Sequence, residues 1–294
     1  MFAWALKAAL LALGAVPFDA DEAVVALMAR HILRGERPWF FYGQHYMGSL
    51  DAYLVAGAFV LVGESVLTVR MVQAVLFTGM LLTTYGLALR FTSSRSTALI
   101  ATALLAFPPV LLTLYTTVSL GGYGEILLLG NLLLWWGHRL GHEDAKRWWL
   151  WLAWGLAAGL GFWVLGLIVV YAAPTVLLLI RQGMASTFPP AADASIPSPL
   201  PKLGRGPRGW ARAVLPPMRG YLLGVLGFAL GSLPWWLGRG DLAVRELLNA
   251  AMGKEHFLHS LGARALNLLA LGLPALFGLR FPWSVEGPPL WSAV

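Results

Sequence analysis

The chain has 294 residues, 58% of them hydrophobic and only 12% charged, with a formal net charge of +7 and no cysteine. An ordinary soluble domain carries about 25% charged residues, so this composition excludes a conventional water-solvated surface and calls for lipid around much of the protein. The missing cysteines exclude disulfides, zinc-thiolate sites and thiol nucleophiles, and the positive charge lies in loops between apolar runs rather than in a basic stripe, which argues against nucleic acid as a partner.

A hydrocarbon layer about 30 Å thick takes about 20 apolar residues in a helix to cross. The fold class expected on that basis is all-α, a polytopic transmembrane bundle of about seven or eight spans with juxtamembrane helices in its first outer loop. Ala3–Phe18 reads as a short first span carrying Lys7. It has no basic stretch at its start, so an anchoring helix fits better than a cleaved signal peptide. Ala52–Gly63 is apolar but too short to cross, and is expected to lie in the interface or re-enter the membrane. Met71–Leu89 is uncharged and bounded by Arg70 and Arg90. Ser96–Tyr115 holds a further span with a kink at Pro108-Pro109. A turn at Gly121-Gly122 leads into Glu125–His138. Trp148–Ile180 has basic residues at both ends, which favours a hairpin of two short helices turning near Gly161–Gly166. Tyr221–Leu237 is another span, and Ala263–Leu279 either crosses or lies on the surface.

Residues 1–181 thus form an N-terminal membrane domain with an acidic outer loop at 18–66. Residues 182–219 hold eight of the 18 prolines and read as a disordered basic cytoplasmic linker near anionic headgroups. Residues 220–294 add a membrane helix and an outer juxtamembrane segment. With the loops at 90–95, 139–147 and 181–219 placed inside, the inner side carries eleven Lys and Arg against three acidic residues. The outer side then carries nine against eleven, an asymmetry that puts 18–66 outside.

The outer loop opens on Phe18-Asp19-Ala20-Asp21-Glu22. Asp19 followed by Glu22 matches a helix capping box, and acidic residues suit a first helical turn. On a helix from Ala20 to Leu33, Asp21 shares a stripe with Val25, Met28 and Ile32, so it is expected to point along the apolar face. A carboxylate held there is desolvated and becomes a better base. Arg30 and Arg34, one turn apart, can hold a phosphate, and are also compatible with a solvated helix end. Gly43 and Gly48 permit tight turns, while His45, Tyr46 and Asp51 add polar groups at membrane level. Glu125 stands at the outer end of an apolar helix, as a functional group or a snorkelled carboxylate. His138 and His142 have metal-ligand spacing but read better as a solvated turn beside Glu143 and Asp144. His256, His259, Lys254 and Arg264 form a basic cluster in the tail. No phosphate-cradling loop, dinucleotide fingerprint or nucleophile elbow is present.

Several stretches together resemble the membrane glycosyltransferases of the GT-C superfamily, of the protein mannosyltransferase and aminoarabinose-transferase type with its Rgt-like bacterial branch. They are Asp21-Glu22-Ala23-Val24-Val25 through Arg30 and Gly35, Tyr46-Met47-Gly48-Ser49-Leu50, Gly121-Gly122-Tyr123-Gly124-Glu125 and Gly159-Leu160-Gly161-Phe162-Trp163. The similarity extends over roughly residues 1–240. It implies transfer of a sugar from a polyprenyl-phosphate donor to a glycan, lipid or protein acceptor on the non-cytoplasmic face, with inversion. It casts Asp21 as the general base or the carboxylate that orients the acceptor hydroxyl, with Glu22 beside it in the catalytic site, supporting it or binding a divalent ion where the family uses one, and with Asp19 and Glu125 as further supporting or metal-binding groups. Arg30, Arg34, His45 and Tyr46 would bind the donor phosphate. Members of that family are longer, so the chain is expected to lack a C-terminal part. Two other readings fit the same helix pattern, a transporter or flippase and a non-catalytic truncated relative. A transporter calls for ionisable groups near the membrane midplane.

Overall fold

A computed structural model describes residues 2–142, 147–187 and 207–238, with 245, 262, 265–266, 268–269 and 273–276. These described residues are mostly helical and form two compact units, Met1–Leu128 with Pro234–Val294, and Leu129–Leu233.

The first unit begins with α1 (Phe2–Ala12), shorter than the span expected over Ala3–Phe18. Gly14 ends it: at φ 67° it takes the left-handed turn, while Gly14 N–H donates to Leu11 O and Ala15 N–H to Leu10 O. That pair of bonds is a Schellman stop, which satisfies the last orphan carbonyls. Helix α2 (Ala20–Leu33) starts on the expected capping box, with Asp19 accepting from Asp21 N–H and Glu22 accepting from Asp19 N–H. It stops at Gly35 by the same device, through Gly35 N–H to Ile32 O and Glu36 N–H to His31 O. Val25, Met28 and Ala29 of α2 are fully buried, and α2 packs against α3 (Leu50–Val62), whose Ala52, Val55 and Ala56 are buried in turn. At about 1.5 Å per residue the 13 residues of α3 span about 20 Å, too short to cross a bilayer, as expected.

The described residues are mostly helical, in keeping with the all-α class, and between α2 and α3 they add one short hairpin. Strands β1 (Phe40–Phe41) and β2 (Gln44–Gly48) pair antiparallel, Phe40 with Gly48 and Phe41 with Gln44, around Gly43 at φ 79°. Helix α4 (Val66–Thr92) follows, capped by the Ser65 hydroxyl on Thr68 N–H. Next come α5 (Arg95–Ala106) and α6 (Val110–Tyr115), separated at Phe107-Pro108-Pro109, where the sequence places its kink. Lys7 is buried and fully satisfied: its Nζ donates to Thr116 O and Oγ1 at 2.8 Å each and to Thr117 Oγ1 at 2.6 Å. The ammonium also sits 4.2 Å from the centre of the Phe77 ring. Helix α7 (Tyr123–His142) starts in this unit and continues into the next.

In the second unit, α8 (Trp148–Val164) breaks at Leu165, a 3₁₀ turn covers Gly166–Ile168, and α9 (Val169–Thr187) follows. The break falls where the hairpin was expected. Helix α10 (Pro207–Gly231) opens inside the segment expected to be an unstructured linker to residue 219, with a proline in its first turn, where a missing N–H costs nothing. Residues 188–206 of that segment, and most of 263–279, lie outside the described residues. Helices α8 and α10 pack backbone to backbone. A methyl on Gly155 would strike Gly224 O, one on Gly159 would strike Phe228 O, and one on Gly231 would strike Leu156 O. The short helix α11 (Leu233–Leu237) follows α10. Among the described residues two helices are long and apolar enough to cross a bilayer, Val66–Thr92 and Gly166–Gly183.

Candidate functional site

The carboxylates at the start of α2 divide by one residue of helical phase. Asp21, expected on the buried stripe, is half-buried at the edge of α2, and Glu22 takes the fully buried place beside Val25 and Ala29. Val25 lies one turn from both residues, at i+4 from Asp21 and i+3 from Glu22, so local spacing does not separate them and a partner elsewhere in the chain does. That partner is Arg70 in the first turns of α4. Its Nε donates to Glu22 Oε1 at 3.0 Å and its Nη2 to Glu22 Oε2 at 2.8 Å, a two-point contact of the kind arginine makes best. Arg70 also donates to Val16 O at 3.3 Å and Pro17 O at 3.0 Å. Both Glu22 oxygens are therefore engaged in fastening the start of α2 to α4. Glu22, expected as a catalytic partner of Asp21, is buried here with both carboxylate oxygens facing the Arg70 guanidinium.

Asp21 remains open to one side. Burial first, and then the nearby Asp19 carboxylate, push its carboxyl above the usual aspartate range. Asp19 itself is exposed and serves as the N-cap of α2. The phenol of Tyr123, at the first position of α7, has Tyr115, Tyr46 and Asp21 as its electrostatic neighbours. Its ring is stacked on Tyr115, with centroids 4.3 Å apart and planes 7° from parallel. Tyr46 is 41% exposed on β2, and its phenol and the Asp21 carboxylate both lie within electrostatic reach of Tyr123. His45 is also exposed, edge-on to Phe40 at 6.3 Å.

The expected phosphate-binding arginines are placed elsewhere. Arg30 lies nine residues along α2 from Asp21, about 13 Å of rise, and its Nε is 3.1 Å from Glu64 Oε2. Arg34 is exposed at the C-cap of the same helix. The structure brings Asp19 and Asp21 together at the start of α2 and leaves Arg30 and Arg34 at its far end.

Behind the turn that carries Tyr123 is a buried acid pair. Asp51, in the first turn of α3, is 1% exposed and Glu125, in the first turn of α7, is 3% exposed. Asp51 accepts from the Ser119 hydroxyl, from Gln73 Nε2 at 3.1 Å and from the Gly121 N–H. Gly121 and Gly122 adopt φ 78° and 108°, values natural only to glycine, and this lets the loop wrap the carboxylate. A methyl on Gly121 would also come within 3.2 Å of Phe41 and Met47. Burial pushes the Asp51 carboxyl up, and the bonds from Ser119, Glu125, Gly121 and Gln73 oppose that shift. Neither Glu125 oxygen meets a conventional donor among the described residues, and the group facing it is Asp51. With three donors already aimed at Asp51, hydrogen-bond accounting makes Asp51 the anion and leaves Glu125 to supply the proton between them.

Sequence reasoning left Asp51 as an interfacial group and passed over Gln73, Ser119, Arg70 and Tyr123. The available signal was Gln73, a lone amide inside the uncharged run Met71–Leu89. Among the described residues no three His, Cys, Asp or Glu side chains converge to hold a metal ion. Asp19 is engaged in capping and Glu125 in facing Asp51, while His138 and His142 stack on each other at 4.3 Å. Comparison with known protein families, curated proteins and solved structures returns no match.

Proposed function

We propose that this chain is a polytopic membrane glycosyltransferase that moves a sugar from a polyprenyl-phosphate donor to an acceptor hydroxyl on the non-cytoplasmic face. The observation that carries the proposal is Asp21, a half-buried carboxylate with raised proton affinity in the first turn of α2, within electrostatic reach of Tyr123. The membrane part is supported by apolar side chains exposed along the helices, such as Leu82 at 69%, Leu104 at 69%, Leu177 at 67% and Val225 at 67%. Monomeric soluble proteins rarely expose contiguous apolar surface of this kind.

In the proposed step the Asp21 carboxylate takes the acceptor's hydroxyl proton as that oxygen bonds to the anomeric carbon. The bond from that carbon to the phosphate oxygen breaks, its electron pair leaves with polyprenyl phosphate, and the sugar carbon inverts. Tyr46 and Tyr123 orient the acceptor or the departing phosphate, and Glu22 with Arg70 fixes the start of α2 on which Asp21 stands. Protein in sealed vesicles, supplied with labelled polyprenyl-phosphate sugar and a mixed pool of acceptors, is expected to form a new glycosidic bond.

The buried Asp51–Glu125 pair favours a second reading, a proton-coupled transporter, because ionisable groups inside apolar helix packs often mark transport paths. Substrate flux across the vesicle wall without any new glycosidic bond would establish the transporter and remove the enzyme. A pH series tests the base itself. Asp21 accepts a proton only when ionised, so its raised affinity sets the acid limb of the rate above the ordinary aspartate range. Asp19→Asn keeps a good N-cap while deleting the neighbouring anion. The limb is expected to move to lower pH in that variant, and an unmoved limb would show that another group titrates.

A further inference from the structure

Lys7 is a buried cation whose acceptors are all uncharged. An ammonium has three N–H donors, and those of Lys7 go to Thr116 O and Oγ1 at 2.8 Å each and to Thr117 Oγ1 at 2.6 Å. Taking an ammonium out of water is costly, and apolar side chains of similar volume often serve a buried site equally well. What the ammonium adds at this place is direction. The Thr116 and Thr117 hydroxyls that accept from Lys7 donate in turn to Leu112 O at 2.7 Å and Thr113 O at 2.6 Å, one turn back in α6. Lys7 therefore grips the end of α6 through two oriented hydroxyls and a carbonyl. No residue of α6 is itself buried, so burial in the core does not fix that end.

The residue before Thr116 is Tyr115, the last of α6, and its ring lies on that of Tyr123, the first residue of α7. The centroids are 4.3 Å apart and the planes 7° from parallel. An aromatic pair of this kind is worth about 0.5–1.5 kcal/mol beyond the area it buries, so displacing one ring disturbs the other. Tyr123 has Asp21 among its electrostatic neighbours. A chain of contacts thus runs from Lys7 through Thr116 and Tyr115 to the phenol that faces the candidate base. We propose that Lys7 is a positioning residue of the Asp21 site: it fixes the end of α6 and, through the Tyr115–Tyr123 stack, sets where the Tyr123 phenol stands.

The part of Lys7 in sugar transfer rests on the function proposed above, whereas its hold on Tyr123 does not. The test uses the full chain in detergent with fluorotyrosine in place of tyrosine, the Tyr115 and Tyr123 fluorine resonances being assigned by Phe substitution. Lys7→Met keeps nearly the length of the side chain and removes its charge and its donors. It is expected to shift both resonances with helical circular dichroism retained. It should also lower kcat about 100-fold, the cost of a misplacement of about 1 Å, with KM for polyprenyl-phosphate sugar unchanged. Tyr115→Leu breaks the stack without touching Lys7 and should reproduce that loss. The double variant should lose no more than either single one, because residues that act through each other are not additive. Unmoved resonances in Lys7→Met overturn the assignment, and so do additive losses or a change confined to KM. Loss of helical circular dichroism in Lys7→Met would make the ammonium a stabilising group and overturn it too. If the unaltered protein forms no glycosidic bond, the transfer reading fails, and the fluorine resonances still decide whether Lys7 holds Tyr123.

Discussion

Gly155→Leu is expected to prevent α8 and α10 from packing, and Gly155→Ala to weaken the pair by about 1–3 kcal/mol, the usual cost of overpacking. The two helices meet through glycines three or four apart, Gly155 and Gly159 on α8 and Gly220, Gly224, Gly227 and Gly231 on α10. Facing Gly155 are Gly224 O and Phe228 N, and facing Gly227 are Leu152 O and Leu156 N. These are backbone atoms, so no rotamer change makes room and the helices must separate. Small residues at such spacing are how helices approach closely when water supplies no driving force between them. Gly57 on α3 is the control, since a methyl there meets nothing within 4 Å. Gly57→Ala removes backbone freedom from the unfolded chain at no packing cost, and should stabilise by about 0.4–1 kcal/mol. Thermal unfolding in detergent, followed by circular dichroism, reads both. The same sign at both positions would show that α8 and α10 do not approach as described.

The second large effect is expected at the buried acid pair, and it is asymmetric. Asp51→Asn replaces an acceptor-only group with one that must aim an amide N–H₂ at a site already crowded by donors from Ser119, Gln73 and Gly121. At least one buried group is then left without its partner, at a cost of about 1–3 kcal/mol and more where charge is involved. Glu125→Gln is different. It keeps a donor toward Asp51 and nearly the same shape, so the proton between the two acids is replaced by an amide hydrogen and little stability is lost. Unfolding of the two variants in the same detergent decides the matter. If Glu125→Gln loses as much as Asp51→Asn, the proton is not held between these residues.

The capping box at Asp19 and Glu22, the kink at Pro108-Pro109, the break between α8 and α9 and the short α3 were all legible, because each is written within a few neighbouring residues. Gly14 could have shortened the first helix in advance, since a glycine just past an apolar run is a common stop. The phase of α2 was not legible in the same way. Arg70 stands 48 residues from Glu22, and nothing near Asp21 says which carboxylate it will claim. Asp51 is tied to Gln73 across 22 residues and to Ser119 across 68, so the acid pair is a product of tertiary packing. The hairpin at Phe40–Gly48 was hidden by its length, with strands of two and five residues around one glycine.

The most direct test of the base is the single-turnover rate of sugar transfer by Asp21→Asn, measured against the unaltered protein in the same vesicles. Asparagine fills the same space and cannot accept the proton, so we expect the rate to fall about 100- to 10,000-fold while the labelled donor still binds. A variant that transfers sugar at the original rate would leave Asp21 no part in the chemistry.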